Sequence, residues 1–359
     1  MDLDFTEEQD LLRETTRRIC ESCFDSSVVR ALETDDHKLS RDFWSALGDN
    51  GLCALRIGEG HGGAAMGTLD MAVVCEEFGY ALATSPYLQS AIHSAGILAA
   101  TGGVLADNWL PRIATGEAII VPAWRQADIA DDGETVSLFG DGRLSGAISL
   151  VPFASSAHGF LVEIPSGWAL VEAESPGITI AAQKNHASQP LFQIRFDEVQ
   201  VAPANILATE MPVTGQDVFA EVLIAVAAEA VGSATKLLAM TADYANQRKQ
   251  FGKPIAAFQA ISHPLAECAT ELEGARYLAY QAAWARDNAL PALHLARMAK
   301  IMATTLYRRL ATLSVQVHGG IGYTIEGEPQ LYYRRSKYQE LMYDTSSALR
   351  AAVADHVLA

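Results

Sequence analysis

A short segment around Arg248 combines residue types that could bind an anion joined to a flat ring. Arg248 offers a guanidinium, Phe251 an aromatic ring, and Gly252 can bend the chain. On a helix, Tyr244 would share a face with Arg248, because residues at i and i+4 lie on the same side. We expect Gly252 and Pro254 to end that helix. An ordinary helix-loop-helix with a surface arginine accounts for the same segment, so the choice depends on the rest of the chain.

A few other residues could complete such a site. Gln259 is expected to begin the next helix and would bring an amide to the same end. The stretch from Gln316 to Gly320, which reads Gln-Val-His-Gly-Gly, also combines a polar side chain with glycines that can bend the chain. His263 and His318 lie near these predicted helix ends. Each is expected to be a hydrogen-bonded structural histidine rather than an acid or base.

The composition favours a folded acidic protein. The chain has 359 residues, of which 50% are hydrophobic, and this is ample for large cores in more than one domain. Its 43 acidic residues against 26 basic ones give a net charge of −17, which argues against a nucleic-acid partner. The N-terminus has no leader pattern, and no stretch approaches the roughly 20 apolar residues that span a bilayer. We predict a soluble cytoplasmic protein.

The cysteines indicate neither a disulfide framework nor a metal site. Five cysteines are few and odd in number, so paired disulfides are not expected. Cys20 and Cys23 have the spacing of a zinc or redox pair, but no second Cys or His pair accompanies them. Because both fall in a helical pattern, we predict two reduced helix cysteines.

The spacing of the apolar residues predicts an α+β fold in three regions. Residues 1–116 form an N-terminal all-α domain, residues 117–210 a small middle antiparallel β domain, and residues 211–359 a C-terminal four-helix bundle. The predicted helices run from Glu7 to Ile19, Arg41 to Leu47, Leu69 to Phe78, Val218 to Gln250, Phe258 to Asn288, Pro291 to Val317 and Gln330 to about Val357. The predicted strands are 118–124, 135–139, 159–164, 168–172, 178–182 and 191–196.

Two glycine-containing stretches help to place these elements. The loop from Gly58 to Gly63 follows no strand of a βαβ unit, so it is not a dinucleotide-binding fingerprint. Small residues between Ala225 and Gly232 should let the first bundle helix pack closely against a neighbour.

The order of the three regions, together with several motifs, resembles the acyl-CoA dehydrogenases over essentially the whole chain. The resemblance implies an FAD flavoenzyme that forms a 2,3-trans double bond in an acyl-CoA. In that family a carboxylate removes the α-proton, the β-hydrogen leaves as hydride to the flavin, and an electron-transfer flavoprotein reoxidises the cofactor. The matching positions are Trp44, Leu47, Gly51–Leu52, Gly62–Gly63, Tyr244–Ala245, Arg248, Phe251–Gly252, Pro254–Ile255, Phe258–Gln259, Lys300, Gln316 and His318–Thr324.

The resemblance also implies where FAD would be held. In the family, the ADP half of FAD is held by the C-terminal bundle of a neighbouring subunit. Carried over, Arg248 would contact the pyrophosphate, Phe251 and Gln259 the adenosine side, and Gln316 with Gly319–Gly320 the other wall. Gly320 could equally be a helix C-cap, and both roles can hold together because a capping glycine lets a ligand approach the backbone.

The chain departs from the family where the flavin ring would lie. The family's Thr-Glu turn and Gly-Ser-Asp loop are replaced by the stretch Pro122–Asp128, and its lysine and tryptophan-containing strand by Gly146–Pro152. The ADP-holding surface is thus kept, while the flavin-holding surface is degraded.

The catalytic base is displaced as well. The family places its carboxylate at one of two positions. An ungapped count back from Arg248 puts the first of them at Val222. Glu221 is the neighbouring residue, but one step along a helix turns a side chain by about 100°, so Glu221 is not a simple substitute. At the other, the count from the Arg334–Arg335 pair reaches Tyr343 or Asp344, of which Asp344 could act as a base at an apolar flavin face. A solvated aspartate near a helix interruption is the alternative reading of Asp344.

These features resemble one half of the heteromeric acyl-CoA dehydrogenases of actinobacterial type, in which two unlike subunits share each FAD. The tail from Leu331 to Lys337 also resembles those proteins. We therefore expect a subunit that works with a related partner on a bulky acyl-CoA, such as a steroid side-chain thioester. A self-sufficient homo-oligomer that uses Asp344, and a non-catalytic scaffold without flavin, are the alternatives.

Overall fold

The computed structural model describes residues 4–35, 39–124, 136–208 and 214–358, and in these ranges helices precede and follow a β region. The predicted α+β fold class is confirmed. The helices are α1 (Glu7–Cys23), α2 (Ser26–Leu32), α3 (Arg41–Asp49), α4 (Thr68–Tyr80), α5 (Ala95–Thr101), α6 (Gly103–Ala114), α7 (Thr214–Gln247), α8 (Gln259–Asp287), α9 (Leu293–His318), α10 (Pro329–Leu341) and α11 (Ser346–Leu358). The strands are β1 (Ile120–Ala123), β2 (Ser137–Leu138), β3 (Arg143–Pro152), β4 (Gly159–Ile164), β5 (Gly167–Glu172), β6 (Ile178–Ala182), β7 (Leu191–Gln200), β8 (Ile206–Ala208), β9 (Lys249–Gln250) and β10 (Lys253–Pro254).

The chain forms two compact units, each discontinuous in sequence. The helical unit comprises Met1–Ser26, Thr68–Ala83 and Leu223–Ala359. The sheet unit comprises Ser27–Gly67 and Thr84–Val222.

Close packing of α4 on α7 organises the helical unit. A Cβ atom added at Gly79 would overlap the carbonyl oxygen of Glu229, and one added at Gly232 would overlap that of Glu76. The hydroxyl of Ser233 donates to the carbonyl of Gly79 at 2.8 Å. The predicted close approach of α7 through its small residues is therefore confirmed, and only glycine fits at the two crossing positions.

Side-chain hydrogen bonds cap the starts of α1 and α4 in this unit. The Thr6 side chain accepts from the backbone of Gln9, whose side chain accepts in return, so that a capping box starts α1. The carboxylate of Asp287, at the end of α8, accepts from the first two N–H groups of α4, those of Thr68 and Leu69, at 2.5 and 3.0 Å. A negative group at a helix N-terminus satisfies free N–H groups and complements the helix dipole.

The predicted helix α1 contains both cysteines of the Cys-x-x-Cys pair. Cys20 is buried, and burial raises the pKa of its thiol. Both cysteines of the pair lie on α1, as predicted, and the five cysteines of the chain are free.

Two four-stranded sheets form the β region of the sheet unit, with strand orders β1-β4-β5-β8 and β2-β3-β7-β6. The predicted antiparallel pairing is found in both sheets with one exception, because β1 pairs with β4 in parallel, with Ile120 opposite Gly159. Residue 135 of the predicted second strand lies outside the described residues, and β2 begins at Ser137. The core of this unit contains Trp109 and Leu110 of α6, Ile120 of β1, and aliphatic residues of α5, β4 and β5.

Candidate functional site

The C-terminal ends of α7 and α9 meet in the helical unit and bring the two sequence motifs together. The ring of Tyr244 stacks on that of His318, with centroids 4.3 Å apart and planes at 27°. The Tyr244 hydroxyl donates to the backbone oxygen of His318 at 3.4 Å, and Nδ1 of His318 lies 2.8 Å from the carbonyl oxygen of Ser314. His318 is therefore a buried, hydrogen-bonded structural histidine, as predicted, whereas His263 lies exposed on α8.

Arg248 lies just beyond the end of α7. The helix ends at Gln247, three residues before the predicted Gln250, and Arg248 opens a hairpin instead. Its N–H still bonds to the carbonyl of Tyr244 at 2.8 Å, so Arg248 stays in register with the last helical turn. Its side chain is exposed and makes no ion pair with any residue that the structure describes. The guanidinium is therefore available to an anionic ligand.

The predicted glycine stop is a hairpin turn rather than a helix cap. Strands β9 and β10 pair with Lys253 opposite Gln250, and Phe251 and Gly252 form the turn with φ values of 52° and 81°. Two successive left-handed residues are the signature of a tight hairpin turn. The Phe251 side chain is 92% exposed, and its ring lies edge-on to that of Phe258, with centroids 6.1 Å apart. The hairpin thus presents an aromatic ring outward, next to Arg248.

Gln259, Gln316, Gly319 and Gly320 occupy exposed positions at helix ends. Gln259 begins α8, as predicted, and Gln316 lies in the last turn of α9. The residue that caps α9 is Gly319, with φ of 63° and its N–H bonded to Val315, rather than Gly320. A Cβ atom at Gly319 or Gly320 would meet no other atom of the described chain within 4 Å. This backbone is therefore open to close approach by a ligand.

Glu221 lies in the sheet unit and is only 6% exposed. Its carboxylate accepts from the guanidinium of Arg56 at 2.7 Å, and the same guanidinium donates to the carbonyl of Met66. The Glu221 carboxylate is thus engaged in a largely buried ion pair with Arg56. Nothing in the sequence identified Arg56, which is separated by more than 160 residues from its partner.

Asp344 lies in the turn between α10 and α11, where the last predicted helix is broken. Tyr343 and Asp344 have φ values of 57° and 67°, which places two successive non-glycine residues in the left-handed region. Tyr343 is 2% exposed, whereas Asp344 is half-buried. Asp344 interacts electrostatically with Arg297 and Lys300, so its surroundings are cationic rather than the apolar face expected for a base with a raised pKa.

The stretch Pro122–Asp128, which departs from the family pattern, begins in the last two residues of β1. Trp124 packs edge-on against His93, with ring centroids 5.0 Å apart, and against Phe219 at 5.5 Å. Residues 125–128 of that stretch lie outside the described residues. The second departing stretch, Gly146–Pro152, belongs to β3.

His93 is a buried residue that sequence reasoning missed. It lies in a π-helix, Leu88–Ser94, whose polar side chains are all buried. Burial lowers the pKa of His93 to about 3, so the imidazole is neutral. The signal available in the sequence was the group of polar residues that interrupts this apolar run. The structure places them in a π-helix, a type of turn that is often found at functional sites.

Glu229, on α7, is a second group that the sequence did not single out. Burial raises the pKa of Glu229 to about 7, although Arg335 and a hydrogen bond from Gln339 at 3.1 Å act in the opposite direction. This carboxyl group therefore titrates near neutral pH within the helical unit.

Comparison with known proteins identifies the family. The family model described as acyl-CoA dehydrogenase, N-terminal domain, matches residues 6–117, and the acyl-CoA dehydrogenase, C-terminal domain, matches residues 216–358. The acyl-CoA dehydrogenase FadE27 of Mycobacterium tuberculosis is 30% identical over 335 residues, which are 87% of this chain and 86% of the relative. The chain belongs to the acyl-CoA dehydrogenase family.

Two solved structures are similar over nearly the whole chain. The ChsE4-ChsE5 complex from Mycobacterium tuberculosis contains a chain that is 26% identical with a TM-score of 0.91, covering 100% of this chain and 99% of that one. A steroid acyl-CoA dehydrogenase, the Tcur3481-Tcur3483 G363A variant, is 27% identical with a TM-score of 0.86 and 98% coverage of both chains.

The family binds FAD, so the cofactor prediction is confirmed at that level. The residues at the end of the helical unit fit the ADP part of this cofactor. Arg248 supplies an exposed positive charge, Phe251 an outward ring, and Gly319–Gly320 an open backbone. A guanidinium suits a pyrophosphate because it can form two parallel hydrogen bonds to it.

The residues that the structure describes include one helix, Gly215–Gln247, that is long and apolar enough to cross a bilayer. The sequence reading missed this segment. Most of its apolar window is buried by the rest of the protein, so α7 is a core helix.

Proposed function

We propose that this chain is one subunit of a hetero-oligomeric acyl-CoA dehydrogenase, which forms a 2,3-trans double bond in an acyl-CoA thioester. The observation that carries the proposal concerns the turn between α10 and α11, which is one of the two positions where the family places its catalytic carboxylate. The buried residue of this turn is Tyr343, and the half-buried Asp344 interacts electrostatically with Arg297 and Lys300. Glu221, beside the other place, is bound by Arg56. A related partner subunit would then supply the base.

The division of chemistry follows from the difficulty of the reaction. An α-proton is removed by a carboxylate only if the base is positioned and the thioester carbonyl is polarised by oriented donors. FAD, when bound, would supply the hydride acceptor for the β-hydrogen. On this chain Arg248, Phe251 and Gln259, with Gln316 and Gly319–Gly320, would hold the ADP part of that cofactor. An electron-transfer flavoprotein would reoxidise it.

Assembly with another chain is supported by apolar side chains at the same end of the helical unit. The side chains of Phe251, Ile321, Tyr323 and Ile325 are all strongly exposed, and Ile325 is 80% accessible. Single exposed apolar residues are common, but a group beside a proposed ligand site indicates an interface. The partner would be a related acyl-CoA dehydrogenase subunit, or a second copy of this chain in the homo-oligomeric alternative.

The proposed substrate is a bulky acyl-CoA, such as a steroid side-chain thioester. Support comes from the similarity to a structure described as a steroid acyl-CoA dehydrogenase and to a complex of two differently named chains. The acidic composition and the burial of α7 are consistent with a cytoplasmic enzyme.

Flavin content tests the proposal. The chain is purified alone and after co-expression with a related acyl-CoA dehydrogenase subunit from a neighbouring gene, and FAD per chain is read from the absorption band near 450 nm. We expect a colourless protein alone and a yellow complex after co-expression. A yellow, active protein from this chain alone would support the homo-oligomer that uses Asp344. A colourless protein under both conditions would support a scaffold without flavin.

A further inference from the structure

The side chain of Lys300 ends inside the turn between α10 and α11. Lys300 lies on α9 and is fully buried. Its Nζ atom donates to the backbone oxygen of Glu340 at 2.9 Å and to that of Asp344 at 2.6 Å. One side chain from a distant part of the sequence thus joins the last turn of α10 to the residue that precedes α11 by two positions.

A positive group suits this place for two reasons. The last carbonyl groups of a helix have no partner within the helix and carry the negative end of its dipole. A buried carbonyl without a donor is also costly, and a charged donor makes a stronger hydrogen bond than a neutral one. The Lys300 ammonium satisfies both carbonyls at once, one on α10 and one in the turn.

The backbone of the turn needs such support. Tyr343 and Asp344 both adopt left-handed conformations, with φ of 57° and 67°. This region is unfavourable for a bulky residue such as tyrosine and persists only where surrounding contacts impose it. The N–H of Met342 closes α10 on Tyr338 at 3.0 Å, and Thr345 accepts from Ala348 at the start of α11 at 3.3 Å. Of the two carbonyls that Lys300 bonds to, that of Asp344 lies between these two caps and that of Glu340 lies just before them.

We propose that Lys300 is the positioning residue of this turn: its two hydrogen bonds hold Tyr343 and Asp344 in the conformations that bury the former and leave the latter half-exposed. The inference rests on the proposed function only in giving this turn a role near the reacting acyl group. The placement itself is a property of the helical unit alone.

The charges around the ammonium come from three elements. Asp344 in the turn and Glu340 on α10 favour its charged form, while burial lowers the pKa of Lys300 to about 8. The Glu340 carboxylate is also paired with Arg308 at 3.0 Å and Lys337 at 2.8 Å. Arg297, one turn earlier on α9, interacts with Asp344.

Two further ionisable groups, His294 and His356, lie where α9 packs on α11. There the rings of His294 and His356 stack with centroids 4.6 Å apart. Burial, His356 and Arg297 lower the pKa of His294. Because the pKa of Lys300 stays at about 8, its ammonium is the charged donor inside the turn at neutral pH.

Amide hydrogen exchange of residues 341–347 tests the proposal directly. Lys300→Met removes both hydrogen bonds, and we expect protection of the turn amides to fall about tenfold or more, because hydrogen bonds from charged groups are strong. Lys337→Met is the matched control, since this exposed lysine bonds to the carboxylate of Glu340 and not to a backbone oxygen. It should leave the turn unchanged.

A second readout of the same two variants separates positioning from general stability. In Lys300→Met, protection in the middle of α9 should change far less than protection of residues 341–347, because the two lost hydrogen bonds end in the turn. Unchanged turn protection in Lys300→Met, or a decline spread evenly over the helical unit in that variant, would overturn the proposal. Flavin content and turnover are recorded separately, so failure of the proposed function does not alter this outcome.

Discussion

The guanidinium of Arg56 lies 2.7 Å from the carboxylate of Glu221, and this contact decides what Glu221 can do. Both side chains are largely buried, and Arg56 also bonds to the carbonyl of Met66. A buried ion pair is costly to break on one side only, because the remaining charge is left without compensation. The pair therefore joins the segment that carries Arg56 to the first part of α7. This structural role accounts for the burial of Glu221 without a role as catalytic base.

The first prediction is that Glu221→Gln is active but less stable. Turnover of the assembled complex should stay within about twofold of wild type, whereas the free energy of unfolding should fall by roughly 1–3 kcal/mol. Dye-linked turnover and thermal unfolding of the same preparation measure the two effects. Loss of turnover with full stability and full flavin content would instead make Glu221 the base.

The second prediction concerns the anion site at Arg248. Arg248→Ala should fold normally but retain about tenfold less flavin, because a charge-assisted bidentate contact contributes roughly 1.5–3 kcal/mol. Arg248→Lys should also be impaired, since an ammonium cannot reproduce the planar fork of donors. Lys249→Ala, an exposed neighbour on β9, is the control. Full FAD occupancy in a folded Arg248→Ala complex would contradict the assignment.

The third prediction is that the exposed apolar residues beside that site form an interface. Phe251→Asp should shift the sedimenting species from a dimer or tetramer toward a smaller one and lower its flavin content. Leu11→Asp, at an exposed apolar position on α1, should not. Analytical ultracentrifugation of wild type and both variants makes the comparison. A catalytically active monomer would contradict the proposed assembly.

The fourth prediction follows from the raised pKa of Glu229. The folded state holds the proton up to about pH 7, while an unfolded glutamate loses it near its ordinary pKa of 4.5. The protein therefore loses stability as the pH rises from that value to about 7, and little more beyond it. The melting temperature of wild type should fall relative to Glu229→Gln between pH 5 and pH 7. If the melting temperatures of the two proteins changed with pH in parallel, Glu229 would have no raised pKa.

Local sequence patterns were sufficient for the long helices and most strands, because their apolar residues repeat with the period of the element. Strand β3 was missed since Gly146 and two bulges interrupt its alternation, and Leu150 is left-handed. The parallel pairing of β1 with β4 depends on contacts between segments far apart in the chain. The hairpin after α7 was mistaken for a helix stop, because Gly252 suits both.

The residues of the candidate site also fall into those that local motifs reveal and those that depend on distant contacts. Arg248, Phe251 and Gln259 were recognisable because each belongs to a local motif at a helix end. The partners that determine the state of the two carboxylates were not, because Arg56 and Lys300 reach Glu221 and the Asp344 turn from distant segments. The domain limits near residues 116 and 210 stay predictions.

The last prediction locates the base. If a partner subunit supplies it, Asp344→Asn should leave turnover of the assembled complex close to wild type, because Asp344 interacts electrostatically with Arg297 and Lys300. If Asp344 is the base, the same change should lower turnover by a factor on the order of 10²–10⁴ while FAD stays bound. Oxidation of a CoA thioester coupled to ferricenium, at matched flavin concentration, distinguishes the two. We expect the first result, since Tyr343 fills the buried position of the turn and leaves no carboxylate there. A collapse of activity with flavin retained would make this chain the catalytic subunit.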